Sequence, residues 1–473
     1  MKNERPLVDA LTTFVNEHPT SLHVPGHKNG LLTNLPSEIK QALTYDVTEL
    51  SGLDDFHHPE EAIKEAEILL AQTYGADASF FLVNGSTVGN LAMVYATCKA
   101  GDTIIVQRNA HKSIFHAIEL VGANPIFISP EWDEATKTTS HVATNTLKEA
   151  LDQYPFAKAV VFTTPTYYGL VSEQLEEQIA ICHGFNIPVL IDEAHGAHFA
   201  ASKHFPKSAL QLGADIVVQS AHKTLPAMTM GSYLHVRSNL IDFETVNRYL
   251  RMLQSSSPSY MIMASLDDAR HYVATYLESD YMYFSEKRNN FINALKLIKG
   301  VEIVEVDDPL KLLLRVSGYN GFELKESLEK ENIYVELADM EQALIILPLL
   351  KQGVTYPFTS LRTRVKDAVT NLLKLPKQQK MPLTMQLESQ KVSKPTISIE
   401  KARQSEKEWI PYTKAIGRIS AELIIPYPPG IPLFVVGDKI TVAKLAYLTD
   451  LLAYGAEFQG NHQLQEKRIC VLK

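Results

Sequence analysis

The chain has 473 residues, of which 45% are apolar and 21% are charged, so it is long enough for two or three folded domains and needs neither disorder nor a coiled coil. Its formal net charge of −9 gives no electrostatic case for binding nucleic acid or an anionic membrane. No apolar run is long enough to span a membrane and no signal-like segment begins the chain, so we expect a cytoplasmic protein. The three cysteines, Cys98, Cys182 and Cys470, lie far apart in sequence, so we expect them to be reduced thiols.

Residues 1–50 are interpreted as an N-terminal segment with a Pro-Gly turn between His23 and His27. Residues 51–280 then read as a large α/β domain. Five apolar runs, rich in β-branched or aromatic residues, each end in a cluster of small polar residues; they are residues 80–83, 103–106, 160–162, 189–191 and 216–218. Continuous runs of this kind are typical of strands covered on both faces in a mostly parallel sheet, and ligands bind where such strands end.

The cluster after the first run predicts an anion site. Residues 84–90 open a predicted helix that continues to Cys98, and free backbone N–H groups at a helix start attract a phosphate. Gly85, Ser86 and Thr87 would supply the turn and two hydroxyls. The segment is not a P-loop, because no Gly-Lys-Ser/Thr follows, and a plain helix cap is the alternative.

The fourth and fifth runs indicate which cofactor carries that phosphate. Asp192 closes the fourth run, and Lys223 follows the fifth through Ser220 and His222. Pyridoxal phosphate needs a carboxylate for its ring nitrogen and a lysine amine for its aldehyde. The alternatives are a helix cap for Asp192 and a surface charge for Lys223. His111, at the end of the second run, would lie flat on the cofactor ring, or it is a structural histidine.

Beyond residue 280 the pattern changes to that of a smaller α+β domain at 281–375. It contains predicted helices at 291–298 and 365–373 and strand-like runs at 301–306, 312–316 and 343–347. Residues 376–408 are polar with little periodicity and read as a linker. A C-terminal domain at 409–473 follows, with a proline-rich apolar stretch and a helix near 442–452. No internal repeat is evident.

Taken together, these motifs resemble those of the ornithine/lysine/arginine decarboxylase family. Six ordered segments carry the resemblance, which extends over nearly the whole chain; they are residues 23–28, 83–87, 108–113, 192–198, 220–225 and 425–432. The resemblance implies the fold type I, aspartate aminotransferase-like architecture and pyridoxal phosphate as cofactor.

The resemblance also implies roles for single residues. Lys223 would be the Schiff-base lysine, Asp192 the partner of the ring nitrogen and His111 the stacking residue. Ser86, Thr87, Ser220 and His222 would surround the phosphate, with Gly85 and His195 as further cofactor contacts. Either His222 or Lys223 would return the proton to the α-carbon. Family members form dimers or higher assemblies with active sites at subunit interfaces, where Ser255, Ser256 and Ser257 are candidates for a phosphate contact made across the interface.

Three departures limit this transfer. The chain begins close to the family core, so we expect the short form without the N-terminal wing domain. Asp438 stands where the closing motif often has a glutamate, which leaves the contribution of the tail to the site open. His195 stands where some members carry an aromatic residue, so its role is open too.

The expected reaction is decarboxylation of a basic amino acid to a polyamine-precursor amine and carbon dioxide. Arginine is the first choice, by resemblance to short bacterial members, followed by lysine or ornithine. An acidic side chain should recognise the basic end of the substrate. The loop at 48–59 offers Glu49, Asp54 and Asp55, although such a cluster is more often a solvated turn or a cap.

Other interpretations stay open. An aminotransferase, with Arg315 or Arg362 holding the substrate carboxylate, or a lyase acting on sulfur amino acids would share Asp192 and Lys223. A homologue that binds the cofactor without turnover is a further alternative. A metal-binding or non-catalytic interaction protein that uses His23, His27, His195 and His198 is disfavoured. The spacing of His195 and His198 does not match a zinc-binding helix, and no cysteine pairs occur.

Overall fold

A computed structural model describes residues 4–377, 390–427, 430–460 and 463–473. The helices are α1 (Pro6–Asn16), α2 (Ser37–Ala42), α3 (Ala62–Tyr74), α4 (Gly85–Thr97), α5 (Lys112–Val121), α6 (Thr144–Gln153), α7 (Leu175–Gly184), α8 (Ala221–Thr224), α9 (Phe243–Leu253), α10 (Tyr260–Ala274), α11 (Glu278–Lys296), α12 (Gly321–Lys330), α13 (Phe358–Leu372), α14 (Ile399–Gln404) and α15 (Val442–Ala453).

The strands are β1 (Ala78–Leu82), β2 (Thr103–Gln107), β3 (Asn124–Ile128), β4 (Trp132–Asp133), β5 (Thr138–Thr139), β6 (Ala159–Thr163), β7 (Val189–Asp192), β8 (Ile216–Gln219), β9 (Ser232–Val236), β10 (Val301–Glu305), β11 (Lys311–Val316), β12 (Leu337–Ala338), β13 (Ala343–Ile346), β14 (Val392–Ser393), β15 (Lys407–Pro411), β16 (Ile425–Pro426), β17 (Phe458–Gln459) and β18 (Arg468–Leu472). All five predicted runs form strands. Among the described helices, none combines the length and the apolar character that a membrane crossing requires.

The chain divides into two compact units. The first contains the residues up to Thr97 and those from Pro188 to Leu277. Its strands are ordered β1-β9-β8-β7, with β7 and β8 parallel and β9 antiparallel to both of its neighbours. β9 was not predicted, because its polar Ser232 and His235 interrupt the apolar run even though both are buried.

Helix α4 packs closely on this sheet because it carries a glycine. A Cβ on Gly89 would lie 2.7 Å from Leu82 Cδ1 and 2.8 Å from Val218 Cγ1. The helix therefore approaches β1 and β8 more closely than any side chain at position 89 allows. This approach fixes the height of the neighbouring Asn90 above the sheet.

Strand β1 lies at one end of this strand order, and side chains bond the backbone of β1 and of the residue that follows it. The Phe81 N–H donates to Glu67 Oε1 at 3.2 Å, and the Val83 N–H donates to Gln254 Oε1 at 2.9 Å. Glu67 lies on α3 and is buried. Burial raises the pKa of Glu67 to about 8, against the lowering effects of the Phe81 bond and the Lys64 charge.

The second unit contains residues 98–187 and 278–473. Its strands β6, β2 and β3 are parallel, and β14 adds to β3 antiparallel. A separate antiparallel sheet, ordered β10-β11-β13-β12, with α11, α12 and α13 corresponds to the predicted small α+β pattern. Near the C-terminus, β15 pairs with β18 around a core that includes Ile410, Phe434, Leu448 and Val471.

The structure is α/β with a mostly parallel sheet, which agrees with the predicted fold class. The boundaries predicted for the individual domains stay predictions. Residues 378–389 of the predicted linker lie outside the described residues, as do Pro428 and Pro429 of the 425–432 motif. The described part of the linker contains the short β14 and α14.

We expect Gly89→Ala to destabilise the protein by about 1–3 kcal/mol, because the added methyl group overpacks the interface between α4 and the sheet. The matched control is Gly184→Ala in α7, where a Cβ meets nothing within 4 Å. The control should be neutral or up to about 1 kcal/mol stabilising. Denaturant midpoints of the two variants measure the difference, and equal midpoints would contradict the packing argument.

We expect Glu67→Gln to be more stable than the parent protein at pH 8.5 and equal to it near pH 4.5. The folded-state pKa of about 8 lies above the ordinary value of 4.5, so the unfavourable contribution of Glu67 is absent below the lower value. This destabilisation grows by at most about 1.4 kcal/mol per pH unit as the pH rises, and it stops growing once the pH passes the folded-state pKa. Glutamine keeps an acceptor for Phe81.

Thermal melting of parent and variant between pH 4.5 and 8.5 tests this prediction. Glu65→Gln, which changes an exposed carboxyl on the same helix, is the control. A Glu67→Gln advantage that does not depend on pH would contradict the assignment.

Candidate active site

Asp192 is the last residue of β7, and its carboxylate is buried. Asn90 Nδ2 donates to Asp192 Oδ2 at 3.0 Å, and the Ala194 N–H donates to Oδ1 at 3.2 Å. Each carboxylate oxygen therefore has a donor that fixes its position. The bond to Ala194 belongs to a turn, since no helix begins at Asp192 among the described residues and the next helical residues are Phe199–Ala201.

Asn90 is a site residue to which the sequence analysis gave no role. It lies in the second turn of α4 and is buried, directly after the close-packed Gly89. The available signal was an amide within the otherwise small and apolar stretch 88–94, because a polar side chain on a helix that is buried must find a hydrogen-bond partner. Only the packing of α4 identifies that partner as Asp192.

Burial raises the pKa of the Asp192 carboxyl, while the charge of Lys223 and the bonds from Asn90 and Ala194 lower it. A carboxylate in this position is best stabilised by a nearby cation. The protonated ring nitrogen of pyridoxal phosphate is such a cation, so Asp192 fits the group.

Lys223 lies in α8, the short helix that follows β8, and is half-buried. Its Nζ lies 3.0 Å from Nε2 of His195, which is buried. His195 follows Asp192 by three residues, so the turns after β7 and β8 bring an acid, an imidazole and an amine into one region. The next residue along α8, Thr224, has a buried hydroxyl oxygen with no hydrogen-bond partner among the described residues, which fits a site that takes up a polar ligand.

Two of the predicted phosphate hydroxyls are in contact. Ser220 Oγ donates to Ser86 Oγ at 2.7 Å. Ser220 is buried and directly precedes α8, while Ser86 lies in the first turn of α4, which Gly85 opens with a φ of +78°. Thr87 is exposed. This pair of hydroxyls, next to the free N–H groups of α4, suits a phosphate.

His222 is oriented by the residue that precedes β9. Its Nδ1 lies 3.0 Å from the Gly231 carbonyl oxygen, and its own backbone N–H donates to the same oxygen at 3.1 Å. Since a carbonyl only accepts, Nδ1 carries the proton in the neutral ring. The structure therefore places His222 beside Lys223 with a defined ring orientation.

A buried hydrogen-bond chain lies behind Asp192 and Ser220. Gln219 Nε2 donates to Glu193 Oε2 at 2.6 Å, Gln219 Oε1 lies 3.2 Å from His235 Nε2, and Ser79 Oγ lies 2.7 Å from His235 Nδ1. Burial raises the pKa of Glu193 to about 7 and lowers that of His235 to about 3. A neutral His235 thus donates to Gln219, and the chain joins the ends of β7 and β8 to β9 and β1.

His111 belongs to the second unit, where it caps the start of α5. Its Nδ1 accepts from the Ser113 N–H at 3.3 Å and lies 2.8 Å from Ser113 Oγ. The Tyr167 ring lies 6.5 Å away between centroids. At the end of β6, Thr163 and Thr164 have buried hydroxyl oxygens without a hydrogen-bond partner in the described part of the chain.

Several other candidates have structural partners. Asp54 accepts five backbone N–H groups, from Asp55, Glu60, Glu61, Ile63 and Lys64, and the last three make it a cap for the start of α3. Asp55 accepts from the N–H groups of His57 and His58.

The two arginines of the aminotransferase alternative lie in different settings. Arg315 bonds Gln342, Glu302 and the Ala135 carbonyl, whereas Arg362 is exposed on α13. Arg315 is thereby engaged by structural partners. Ser255, Ser256 and Ser257 in the first unit are exposed.

The histidines of the metal-binding alternative do not cluster. His27 Nε2 lies 3.1 Å from Asp46 Oδ2, and its Nδ1 accepts from the Gly30 N–H at 3.1 Å. Within the described ranges, no group of three or more His, Cys, Asp or Glu side chains is arranged to hold a metal ion.

Comparison with known proteins identifies the family. The profile for the Orn/Lys/Arg decarboxylase major domain matches residues 5–312, and the profile for the C-terminal domain matches residues 377–465. The chain is 46% identical to the uncharacterized protein YaaO of Bacillus subtilis over 98% of both chains. It is 35% identical to the arginine decarboxylase of Bacillus subtilis over 100% of this chain and 98% of the relative.

The solved structures agree in fold. The lysine decarboxylase LdcF of Francisella novicida superposes with a TM-score of 0.81 at 19% identity, over 100% of this chain and 81% of that one. The predicted fold class, cofactor and reaction class are confirmed by these matches. The chain belongs to the Orn/Lys/Arg decarboxylase family, on the evidence of a family profile that covers well over half of its length and of relatives that it matches from end to end.

Proposed function

We propose that the protein decarboxylates a basic amino acid with the help of pyridoxal phosphate, with arginine as the first-choice substrate and lysine or ornithine next. The observation that carries the proposal is the buried Asp192 with its Asn90 partner and the attractive Lys223 charge, which matches the two demands of the cofactor. The choice of arginine is supported by the end-to-end similarity to the arginine decarboxylase of Bacillus subtilis.

When bound, pyridoxal phosphate supplies an aldehyde that condenses with amines and a ring that withdraws electrons from the bond that breaks. In this proposal Asp192 holds the positive charge on the ring nitrogen, and Asn90 keeps the carboxylate in place. Ser86, Ser220 and the start of α4 bind the phosphate. Gly85 provides the left-handed turn that begins α4.

The remaining residues transfer protons or contact the cofactor ring. Lys223 must lose a proton before its amine can attack a carbonyl group, and His195 Nε2, at 3.0 Å, is placed to accept one. His222 and Lys223 are the candidates to return a proton to the α-carbon of the substrate. His111 is assigned to stack on the cofactor ring, by resemblance to the family.

Assembly and location stay predictions. We propose a homodimer with active sites at the subunit interface, where the exposed Ser255, Ser256 and Ser257 contact the cofactor phosphate of the partner. The support for this assignment is the resemblance of the motifs to those of the family. The cytoplasmic location is likewise a prediction.

We expect the purified, cofactor-loaded protein to release carbon dioxide and agmatine from arginine, and Lys223→Ala to abolish this release. The experiment compares separate incubations with arginine, lysine and ornithine. Lys330→Ala, which removes an exposed lysine of α12, is the control and should retain full activity.

The alternatives give different results in the same assay. Keto-acid formation without carbon dioxide would indicate an aminotransferase. Binding of the cofactor, seen by its visible absorbance, without turnover of any of the three substrates would contradict the decarboxylase proposal and favour a homologue without activity.

We expect Asp192→Asn to lower kcat by at least about 100-fold, because a neutral amide cannot hold the ring nitrogen in its charged form. Asn90→Ala should have a smaller effect, about 10- to 100-fold, by releasing the carboxylate that it orients. Both variants should also weaken cofactor binding in an absorbance titration.

The matched control for this series is Asp215→Asn. Asp215 is also buried, but it accepts from the Val189 N–H at the opposite end of β7. The control should lower stability and leave the cofactor affinity of the folded protein unchanged. If Asp215→Asn and Asp192→Asn reduced cofactor affinity equally, Asp192 would be only a structural residue.

A further inference from the structure

The C-terminal segment 430–438 is bonded to the turn that carries His111. Both belong to the second unit. The Lys112 N–H donates to the Gly430 carbonyl oxygen at 3.1 Å. Lys112, the residue after His111, is thus bonded to the backbone of a segment that lies more than 300 residues further along the chain.

Gly430 lies directly against the His111 ring. A Cβ at this position would lie 3.2 Å from His111 Cδ2 and 3.3 Å from Nε2, and the φ of +90° is one that other residues rarely adopt. On the opposite edge of the ring, Nδ1 faces Ser113 at 2.8 Å. The imidazole therefore lies between its own helix start and the glycine of the C-terminal segment.

Arg108, three residues before His111, forms a second set of bonds between the turn at 108–113 and the C-terminal segment. Its guanidinium donates to the carbonyl oxygens of Pro432 at 2.8 Å and Leu433 at 3.1 Å, and to Asp438 Oδ2 at 3.3 Å. The side chains of Arg108 and Asp438 are each only 11% exposed. A planar guanidinium carries five N–H donors, so it can serve these three acceptors at once.

Asp438 also closes the segment on itself. Its Oδ2 accepts from Lys444 Nζ at 3.0 Å and from the Val435 N–H at 3.3 Å. The carboxylate therefore faces two cations and one backbone donor. This arrangement accounts for a charged residue at position 438.

We propose that the C-terminal segment 430–438 positions the imidazole of His111, with Arg108 and Asp438 as positioning residues that act through the turn at 108–113. The proposal deepens the proposed function and rests on it where it concerns catalysis. The position of the imidazole is a separate quantity that can be measured without any turnover.

The first measurement is the rate at which diethyl pyrocarbonate modifies His111 in the full-length protein, followed by peptide mass spectrometry. Arg108→Gln and Asp438→Asn should raise this rate several-fold, because the imidazole edge loses its cover. Asp438→Glu keeps the charge and should retain the parent rate. The control is Arg418→Gln, since Arg418 bonds Glu408 and the Leu472 carbonyl elsewhere in the C-terminal region.

The second measurement is kcat and KM for the substrate that the protein decarboxylates, with the circular dichroism of the bound cofactor. Arg108→Gln should lower kcat about 10- to 100-fold with little change in KM, as a misplaced catalytic group does. Because Arg108 acts through His111, this loss should disappear when both are changed, in His111→Ala/Arg108→Gln compared with His111→Ala.

The outcomes separate the two proposals. Equal modification rates of His111 in the parent, Arg108→Gln and Arg418→Gln proteins would overturn the positioning role, whatever the activity. A multiplicative loss of kcat in the double variant would overturn it too. A raised modification rate in a protein that decarboxylates none of the three amino acids would support the positioning role while contradicting the proposed function.

Discussion

A carboxylate that is taken out of water must be stabilised by fixed donors and by positive charge, and much of the first unit follows from meeting this requirement at Asp192. The residue closes a strand that is buried along its whole length, so solvent cannot supply the compensation. Asn90 and the Ala194 N–H supply the donors, and Lys223 supplies positive charge. Gly89 is needed because only a helix that packs this closely brings the Asn90 amide within 3.0 Å.

The buried hydrogen-bond chain behind Asp192 supplies fixed partners for further polar groups inside the sheet. Glu193 and Gln219 directly adjoin the two site residues Asp192 and Ser220, and their 2.6 Å bond links the ends of β7 and β8. His235 completes the chain from β9 as a neutral ring, since its burial lowers its pKa to about 3. Buried polar chains that are fully bonded favour one arrangement of the strands over its alternatives. The positions of Asp192 and Ser220 are therefore supported from within the core.

Buried charges also hold the strand-end turns of the second unit. Lys311 is fully buried in β11 and donates to the carbonyl oxygens of Thr166 at 3.2 Å and Tyr167 at 2.9 Å. Arg108 does the same for the carbonyls of the C-terminal segment. In both cases a cationic side chain donates hydrogen bonds to carbonyl oxygens that are shielded from water. These bonds connect turns from distant parts of the chain. They join segments that the sequence separates by more than 140 residues.

The sequence by itself determined the strand-end chemistry, the family and the cofactor, because continuous apolar runs that end in polar clusters reflect local backbone and burial preferences. Asp192, Lys223, Ser86 and Ser220 could be named for this reason. The partner of Asp192, the place of β9 in the sheet in spite of its polar Ser232 and His235, the capping role of Asp54 and the contact of Gly430 with His111 were decided only by the tertiary structure. Each of these features depends on which segment, distant in sequence, packs against the residue. The hydrophobic periodicity of one chain reports local structure and does not identify that segment.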